Sequence, residues 1–428
     1  MIIVDRALER RQRDSNPIRI GMVGAGYMGR GMAAVIERCM VGMQVVAIAN
    51  RTVAGAERAF AEAGVETCAR VSDQQALDDL LARGGRAVTG DPLLLCRARG
   101  IEAIIECTGE VEFAAHVVTE AIANRKHVLL VNAELDATVG PMLKVLADRA
   151  GLVITNADGD EPGVAMNMLR FVQSIGCRPV LAGNVKGFLD HHRNPDTQKG
   201  FADAHGQRPF MVTSFADGTK LSLEATVLAN ATGLRVRQRG MEGRRLAHVR
   251  DLLGVYDPKE LLEQPIVEFV LGAEPGSGAF VVGYNDDPLL MPYMSYFKLG
   301  DGPLYMFYRP FHLTHLEAPL SVARAVLFGD ATIAPRGAPV CEVATIAKRD
   351  LESGDELDGI GGFTCYGLID NLEAARRDGV LPIGLASGAR LTRPVAADTP
   401  IRYADVTLPE GRLVDALHAQ QSAHFGLP

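Results

Sequence analysis

Residues 18–32, IRIGMVGAGYMGRGM, restrict what this chain can fold into more than any other stretch. Ile18, Ile20, Met22 and Val23 make a short buried strand, and Gly24, Gly26 and Gly29 follow with G-x-G-x-x-G spacing before a helical pattern begins. In that context the spacing is a dinucleotide fingerprint. Gly24 permits the tight strand-to-helix turn, Gly26 lets the backbone approach a pyrophosphate, and Gly29 lets the helix pack closely. The helix N-terminus, with Tyr27 and Met28 in its first turn, offers free N–H groups to an anion.

The pattern then repeats. Residues 43–51, MQVVAIANR, form a second strand rich in Val and Ile. At its end an NAD site usually carries an Asp or Glu for the ribose 2′-hydroxyl, and here the chain reads Asn50, Arg51, Thr52. Arg51 suits a 2′-phosphate, so NADP(H) is expected; the alternative is that Arg51 is a solvated loop residue. Helices are expected over 54–63 and 73–83, the second beside an inserted segment ending at 89–92. A strand and loop follow over 101–109, an amphipathic helix over 110–126, a strand ending in a polar loop over 127–140, a helix over 141–150 and a strand over 151–157. This βαβα alternation predicts an α/β domain over 16–157 with a doubly wound parallel sheet of Rossmann type. Ligands sit at the carboxyl ends of such strands, which places Cys107, Thr108, Gly109, Asn132, Glu134 and Asp158 around one crevice. Thr108, Gly109 and Asn132 are the expected cofactor contacts there. Cys107 reads as a packing residue, because no base stands near it in the sequence.

The chain has 428 residues, too many for one ordinary domain, and its balance of 47% hydrophobic to 22% charged residues is that of a globular protein. No apolar run is long enough to span a bilayer. The N-terminal MIIVDRALERRQRDSN spreads charge throughout, so it reads as an exposed arm with a short helix over 7–13 and no secretory signal. A net charge of -8 argues against nucleic-acid binding. The seven cysteines are scattered and never spaced C-x-x-C, which predicts neither disulfides nor zinc fingers and places the protein in the cytoplasm.

At residue 158 the character changes. Asp158, Asp160 and Glu161 fall within four residues, just ahead of Pro162 and a helix expected over 163–174. Carboxylates at a helix start favour the helix dipole, and that alone accounts for them. The sharper reading has Asp160 and Glu161 acting in proton transfer, or Asp158, Asp160 and Glu161 holding Mg²⁺ or Mn²⁺. Residues 186–208 then gather Lys186, Arg193, Lys199 and Arg208 in an otherwise acidic chain. Such a patch suits a small anionic substrate, with Asn194, Ser214 and Asn230 available to orient hydroxyls. Lys186, at the end of a strand over 179–185, is expected to project into the cleft. His191 and His192 read as loop histidines or, less simply, zinc ligands. Residues 211–230 read as a strand, an Asp-Gly turn and a further helix or strand. The aromatic stretch 293–319 suggests sheet packing or a homo-oligomer interface, and 319–328 an apolar helix that returns to cover the nucleotide domain.

VGAGYMGRGM, VNAELDATVGP, DGDEPG, KGFLDHHRNPDTQKGFA, TSFADGTK and YRPFHLTHLEAP together resemble the homoserine-dehydrogenase-related group that includes the 1-deoxy-D-xylulose 5-phosphate reductoisomerase-like (DRL) enzymes. AKRDLESGDELDG and LPIGLASGARLTRPVAADTPIRYADVTLP resemble the small β-rich SAF domain. The resemblance implies a central α+β substrate and oligomerisation domain over 158–336 and a SAF-like domain over 337–428. It implies conversion of 1-deoxy-D-xylulose 5-phosphate to 2-C-methyl-D-erythritol 4-phosphate with NADPH and a divalent metal. Homoserine dehydrogenases usually carry Lys after the Asn at the fourth nucleotide-domain strand, whereas Ala133 follows Asn132 here, which argues against homoserine as substrate. The implied chemistry leaves Lys186 as either part of a phosphate seat with Arg193 and Lys199 or the proton donor to the reduced carbonyl. The alternatives are a related NAD(P)-dependent oxidoreductase acting on another hydroxy or keto acid or sugar derivative, and a non-catalytic nucleotide-sensing protein.

Overall fold

Seven strands, all but one of them largely buried, pair edge to edge in the first part of the computed structural model, which describes residues 4–427. Residues 1–3 and Pro428 lie outside them. The segment expected as an exposed arm forms the helix Asp5–Arg13 and sends Leu8, with Val4 before it, into the core beside Ile18 and Ile20. The strands are β1 (Ile18–Val23), β2 (Met43–Ala49), β3 (Ala69–Arg70), β4 (Ala87–Thr89), β5 (Ala103–Glu106), β6 (His127–Leu130) and β7 (Ile154–Asn156). They form one sheet in the order β3-β4-β2-β1-β5-β6-β7, every pairing parallel. The chain leaves β1 toward one edge and returns to β5 on its other side, so the order reverses between β1 and β5. The fold is therefore α/β, of Rossmann type. Residues 89–92, read as the end of an insertion, instead join β4 to the helix Pro92–Arg97.

The chain divides into two compact units: residues 4–160, 313–334 and 416–424, and residues 161–312, 335–415 and 425–427. In the first, the helix Thr314–Phe328 sends Ala318, Val322 and Ala323 into the same core as Ile18, Ile20, Met32 and Ile36. The apolar helix expected over 319–328 thus covers the nucleotide sheet.

Two sequence readings need correction. The helix expected over 141–150 runs Ala133–Arg149, with Pro141 inside it. Proline lacks an N–H and ordinarily breaks a helix. Here Gln421 repairs the break: its Oε1 accepts from Met142 N at 3.1 Å and its Nε2 donates to Thr138 O at 3.4 Å, inserting one amide into the backbone ladder. The second concerns 211–230, where the Asp-Gly pair joins two helices, Pro209–Ala216 and Thr219–Thr232, and no hairpin forms. Gly218 lies at φ +86° and Asp217 accepts from Thr219 N, which starts the second helix. That helix is buried on nearly every face, so its apolar residues carry no clean amphipathic period.

In the second unit β8 (Arg178–Lys186), β9 (Arg244–Arg245), β10 (Ile266–Leu271), β11 (Ala279–Tyr284) and β12 (Leu304–Arg309) form a mixed sheet ordered β12-β11-β8-β10-β9. The helix Glu161–Ser174 packs on β8 and β11; it begins two residues earlier than expected, so Glu161 itself lies in its first turn. Toward the C-terminus β13 (Cys341–Ala347) pairs antiparallel with β14 (Cys365–Asn371), and β15 (Arg390–Leu391) with β16 (Val406–Thr407). Asn230 ties this region to the helix Thr219–Thr232: its Oδ1 accepts from Val340 N and Cys341 N.

Candidate active site

The glycine-rich turn has the shape a dinucleotide requires. Gly24 sits at φ +105°, and a Cβ there would press on Cys107 at about 3 Å. A Cβ on Gly29 would lie 2.4 Å from the Gly24 carbonyl oxygen, so the helix Tyr27–Cys39 packs directly on the turn. Around Gly26 there is open space, with nothing within 4 Å of an added Cβ. Open volume at a helix N-terminus, bounded by two positions that only glycine can fill, fits a dinucleotide pyrophosphate. Cys107 lies beneath the turn, its Sγ against the carbonyls of Val23 and Gly24, and burial pushes its thiol far up. Its role there is packing.

Asn50 braces the same turn, accepting from Ala25 N at 3.1 Å and donating to Thr52. Arg51 is exposed and makes no hydrogen bond or ion pair among the described residues. Thr108 donates its N–H and hydroxyl to Glu106, and Gly109 takes φ +75°. Asn132 caps the next helix by accepting from Leu135 N. Glu106, at the end of β5, was not singled out in the sequence. Burial raises its pKa to about 7 against the hydrogen bonds from Thr108, with Glu134 adding to the rise. Asp136 is raised to about 6 by burial, and Asn156 donates to it at 3.2 Å.

The expected metal centre does not form. Asp158 accepts from Gly159 N and lies 3.7 Å from Arg324. Asp160 accepts from the Thr314 hydroxyl at 3.3 Å. Glu161 turns into the helix Glu161–Ser174 and meets Lys186. The left-handed Gly159 (φ +74°) lets three near-adjacent carboxylates take separate partners. Among the described residues no group of three or more His, Cys, Asp or Glu side chains is arranged to hold a metal ion. His191 and His192 each meet a backbone carbonyl instead, at Asp217 and Lys348.

The second unit assembles the strongest cluster of reactive groups. Lys186, the last residue of β8, places Nζ 2.9 and 2.7 Å from the two carboxylate oxygens of Glu161 and 3.8 Å from Glu224 Oε2. Asn184, two residues earlier on the same face of β8, donates to Glu161 Oε2. His312 brings Nε2 to 3.4 Å from Glu161 Oε1. Burial works to raise the Glu161 pKa, but Lys186, a hydrogen bond with Glu224 and nearby His312 overcome it and hold the group down at about 2. The site is thus an ionised carboxylate carrying a lysine ammonium, an arrangement suited to giving and regaining a proton.

The structure brings Glu161 and Lys186 together and leaves Asp160 with Thr314. Arg193 pairs with Asp190 and lies over Phe188, while Lys199 pairs with Asp203 on the exposed face of its helix. Asn194 caps the helix Pro195–Ala204, Ser214 donates to Met211 O, and Asn230 holds the C-terminal region. Sequence reading missed Asn184, Glu224 and His312. Alternation along β8 pairs Asn184 with Lys186, and that signal was available.

Residues 159–318 match the family model for the catalytic domain of oxidoreductase DRL, a stretch that holds every member of this cluster. The homoserine dehydrogenase of Neisseria gonorrhoeae (strain ATCC 700825 / FA 1090) is 27% identical over 141 residues, 32% of this chain and 28% of that protein. The chain therefore matches well under a third of that relative's length. Among solved structures, a homoserine dehydrogenase from Thiobacillus denitrificans is 16% identical, covering 90% of this chain and 98% of that one with a TM-score of 0.39. The apo scyllo-inositol dehydrogenase from Lactobacillus casei is 14% identical, with 72% and 87% coverage and a TM-score of 0.42. The DRL match and the glycine-rich turn support an NAD(P)-dependent oxidoreductase of the dehydrogenase type.

Proposed function

We propose that this protein is an NADPH-dependent oxidoreductase that reduces the carbonyl of a small anionic substrate, and that the substrate is 1-deoxy-D-xylulose 5-phosphate, converted to 2-C-methyl-D-erythritol 4-phosphate. The observation that carries the reduction is Lys186 held by Glu161 within a buried carboxylate and histidine cluster. Bound NADPH would supply the hydride, and Gly24, Gly26 and Gly29 are the residues that would hold it, with Arg51 at the 2′-phosphate. The C3–C4 bond of the substrate breaks and a C2–C4 bond forms, leaving C3 as an aldehyde, and Lys186 donates a proton from Nζ to that aldehyde oxygen as it becomes the hydroxyl of the product. Glu161 keeps that ammonium charged and aimed, and Glu224 and His312 restore its proton. Arg193 and Lys199 draw the anionic group. Because the carboxylates do not converge, no step runs through a metal ion. The proposal includes a cytoplasmic homo-oligomer whose residues 337–428 act as a SAF-like domain.

A second reading, a homoserine-dehydrogenase-like reduction of another hydroxy or keto acid or sugar derivative without carbon rearrangement, is supported by the 27% identity over 141 residues to a homoserine dehydrogenase. The deciding experiment incubates the protein with NADPH and 1-deoxy-D-xylulose 5-phosphate and identifies the product. Formation of 2-C-methyl-D-erythritol 4-phosphate supports the first reading. Turnover confined to unrearranged keto acids or sugar derivatives supports the second, and no turnover with any of them overturns both.

A further inference from the structure

Gly31 lies beyond the dinucleotide fingerprint, yet it has no room for a side chain. A Cβ there would stand 2.6 Å from Cδ2 and 3.1 Å from Cγ of His315. His315 belongs to the first turn of the helix Thr314–Phe328, which packs along the helix Tyr27–Cys39. Its imidazole also meets the Tyr27 ring edge-on, with centroids 5.8 Å apart and planes at 66°. Tyr27 opens the helix directly after Gly26, and Gly31 is four residues on, about 6 Å along the axis. The imidazole, against Gly31 and Tyr27, therefore lies roughly one helical turn from Gly26, where an added Cβ would meet nothing within 4 Å. Neither ring nitrogen has a hydrogen bond or ion pair among the described residues. Burial lowers the His315 pKa, which favours the neutral ring with its single N–H.

A histidine kept only to fill a notch would not need that notch cut by a glycine beside a phosphate-binding turn. We propose that His315 is a cofactor-binding residue whose imidazole N–H donates to the diphosphate of a dinucleotide seated on the Gly24–Gly29 turn, Gly31 providing the space it occupies. The inference rests on the reading of that turn as the NADP(H) site. The edge contact with Tyr27 on one side and the close approach to Gly31 on another restrict the rotamers of the ring before a ligand arrives.

The test is isothermal titration of the full chain with NADPH and with adenosine 2′-monophosphate, which has the 2′-phosphate but no diphosphate. His315→Phe keeps a ring in the notch and removes the donor; His315→Gln keeps an N–H donor. The expected result is a Kd for NADPH raised about tenfold in His315→Phe and largely restored in His315→Gln, with adenosine 2′-monophosphate binding unchanged. Equal NADPH affinity in the unsubstituted protein and His315→Phe overturns the assignment, as does an equal loss for both ligands. Absence of NADPH binding to the unsubstituted protein instead overturns the reading of the turn itself.

Discussion

Lys186 Nζ lies 2.7 Å from one oxygen of Glu161 and 2.9 Å from the other, so a single ammonium spans a carboxylate whose side chain is only 5% exposed. Removing one partner leaves the other charged in a poor solvent. Lys186→Met is expected to cost about 3 kcal/mol of unfolding free energy. Lys186→Met combined with Glu161→Leu is expected to recover most of that. Urea denaturation of the two single variants and the double variant measures the cycle.

The same lysine is the proton donor in the proposed reduction. Lys186→Met should lower kcat by roughly 10²–10⁴-fold while leaving the Kd for NADPH unchanged. Arg193→Ala and Lys199→Ala, the residues proposed to draw the anionic group of the substrate, should raise KM and change kcat little. A fall in kcat equal for all three variants would contradict this division of roles.

Two glycines of the turn separate folding from cofactor binding. Gly26 has φ -74° and open space around an added Cβ, so Gly26→Ala should melt as the unsubstituted protein does yet bind NADPH far more weakly. Gly29→Ala drives a methyl into the Gly24 carbonyl, so it should lose both stability and binding. Calorimetry alongside NADPH titration distinguishes the two patterns.

Stability should depend on pH through buried carboxyls. Glu106 and Glu342 are raised to about 7 and Asp136 to about 6, all by burial first. The folded state holds these protons more tightly than the unfolded chain does. Their stabilising contribution is complete below the ordinary carboxylate range and is lost as pH rises through about 6 to 7. Glu161, lowered to about 2, works oppositely: its contribution is present above the ordinary range and lost as pH falls toward 2. Melting temperature is thus expected to peak near pH ~5 and to decline by pH ~8, with a shallower decline in Glu106→Gln.

Gln421 and Pro141 form a matched pair. Gln421→Leu leaves Met142 N and Thr138 O without their buried partner and should cost about 2 kcal/mol. Pro141→Ala, which restores a helical N–H at the break, should recover part of the loss in the Gln421→Leu background. Additive losses in a chemical-denaturation cycle would contradict the pairing.

Legibility in the sequence followed the range of the interactions. The turn at Gly24–Gly29 and the strands beside it are local, because backbone conformation and close packing there are decided by adjacent residues. Helix Ala133–Arg149 was hidden because Pro141 is an honest local stop signal, cancelled by a glutamine 280 residues away. The helix pair about Asp217 and Gly218 was hidden because a fully buried helix lacks the one-sided pattern that distinguishes it from a strand. Within the candidate site, Glu161 and Lys186 were found as the ends of their own elements. Glu224 and His312 reach Glu161 only through tertiary packing, and the metal expectation failed because spacing along the chain says nothing of where carboxylates point after a left-handed glycine.

The central claim, hydride transfer at a site served by Lys186, is tested most directly with NADPH deuterated at the nicotinamide C4 and mass spectrometry of the product. One deuterium is expected on C1 of 2-C-methyl-D-erythritol 4-phosphate, the carbon that is an aldehyde after the rearrangement, or on the former carbonyl carbon of an unrearranged keto compound, with the labelled product all but lost in Lys186→Met. A substrate consumed without deuterium transfer, or labelled equally by Lys186→Met and the unsubstituted protein, would contradict it.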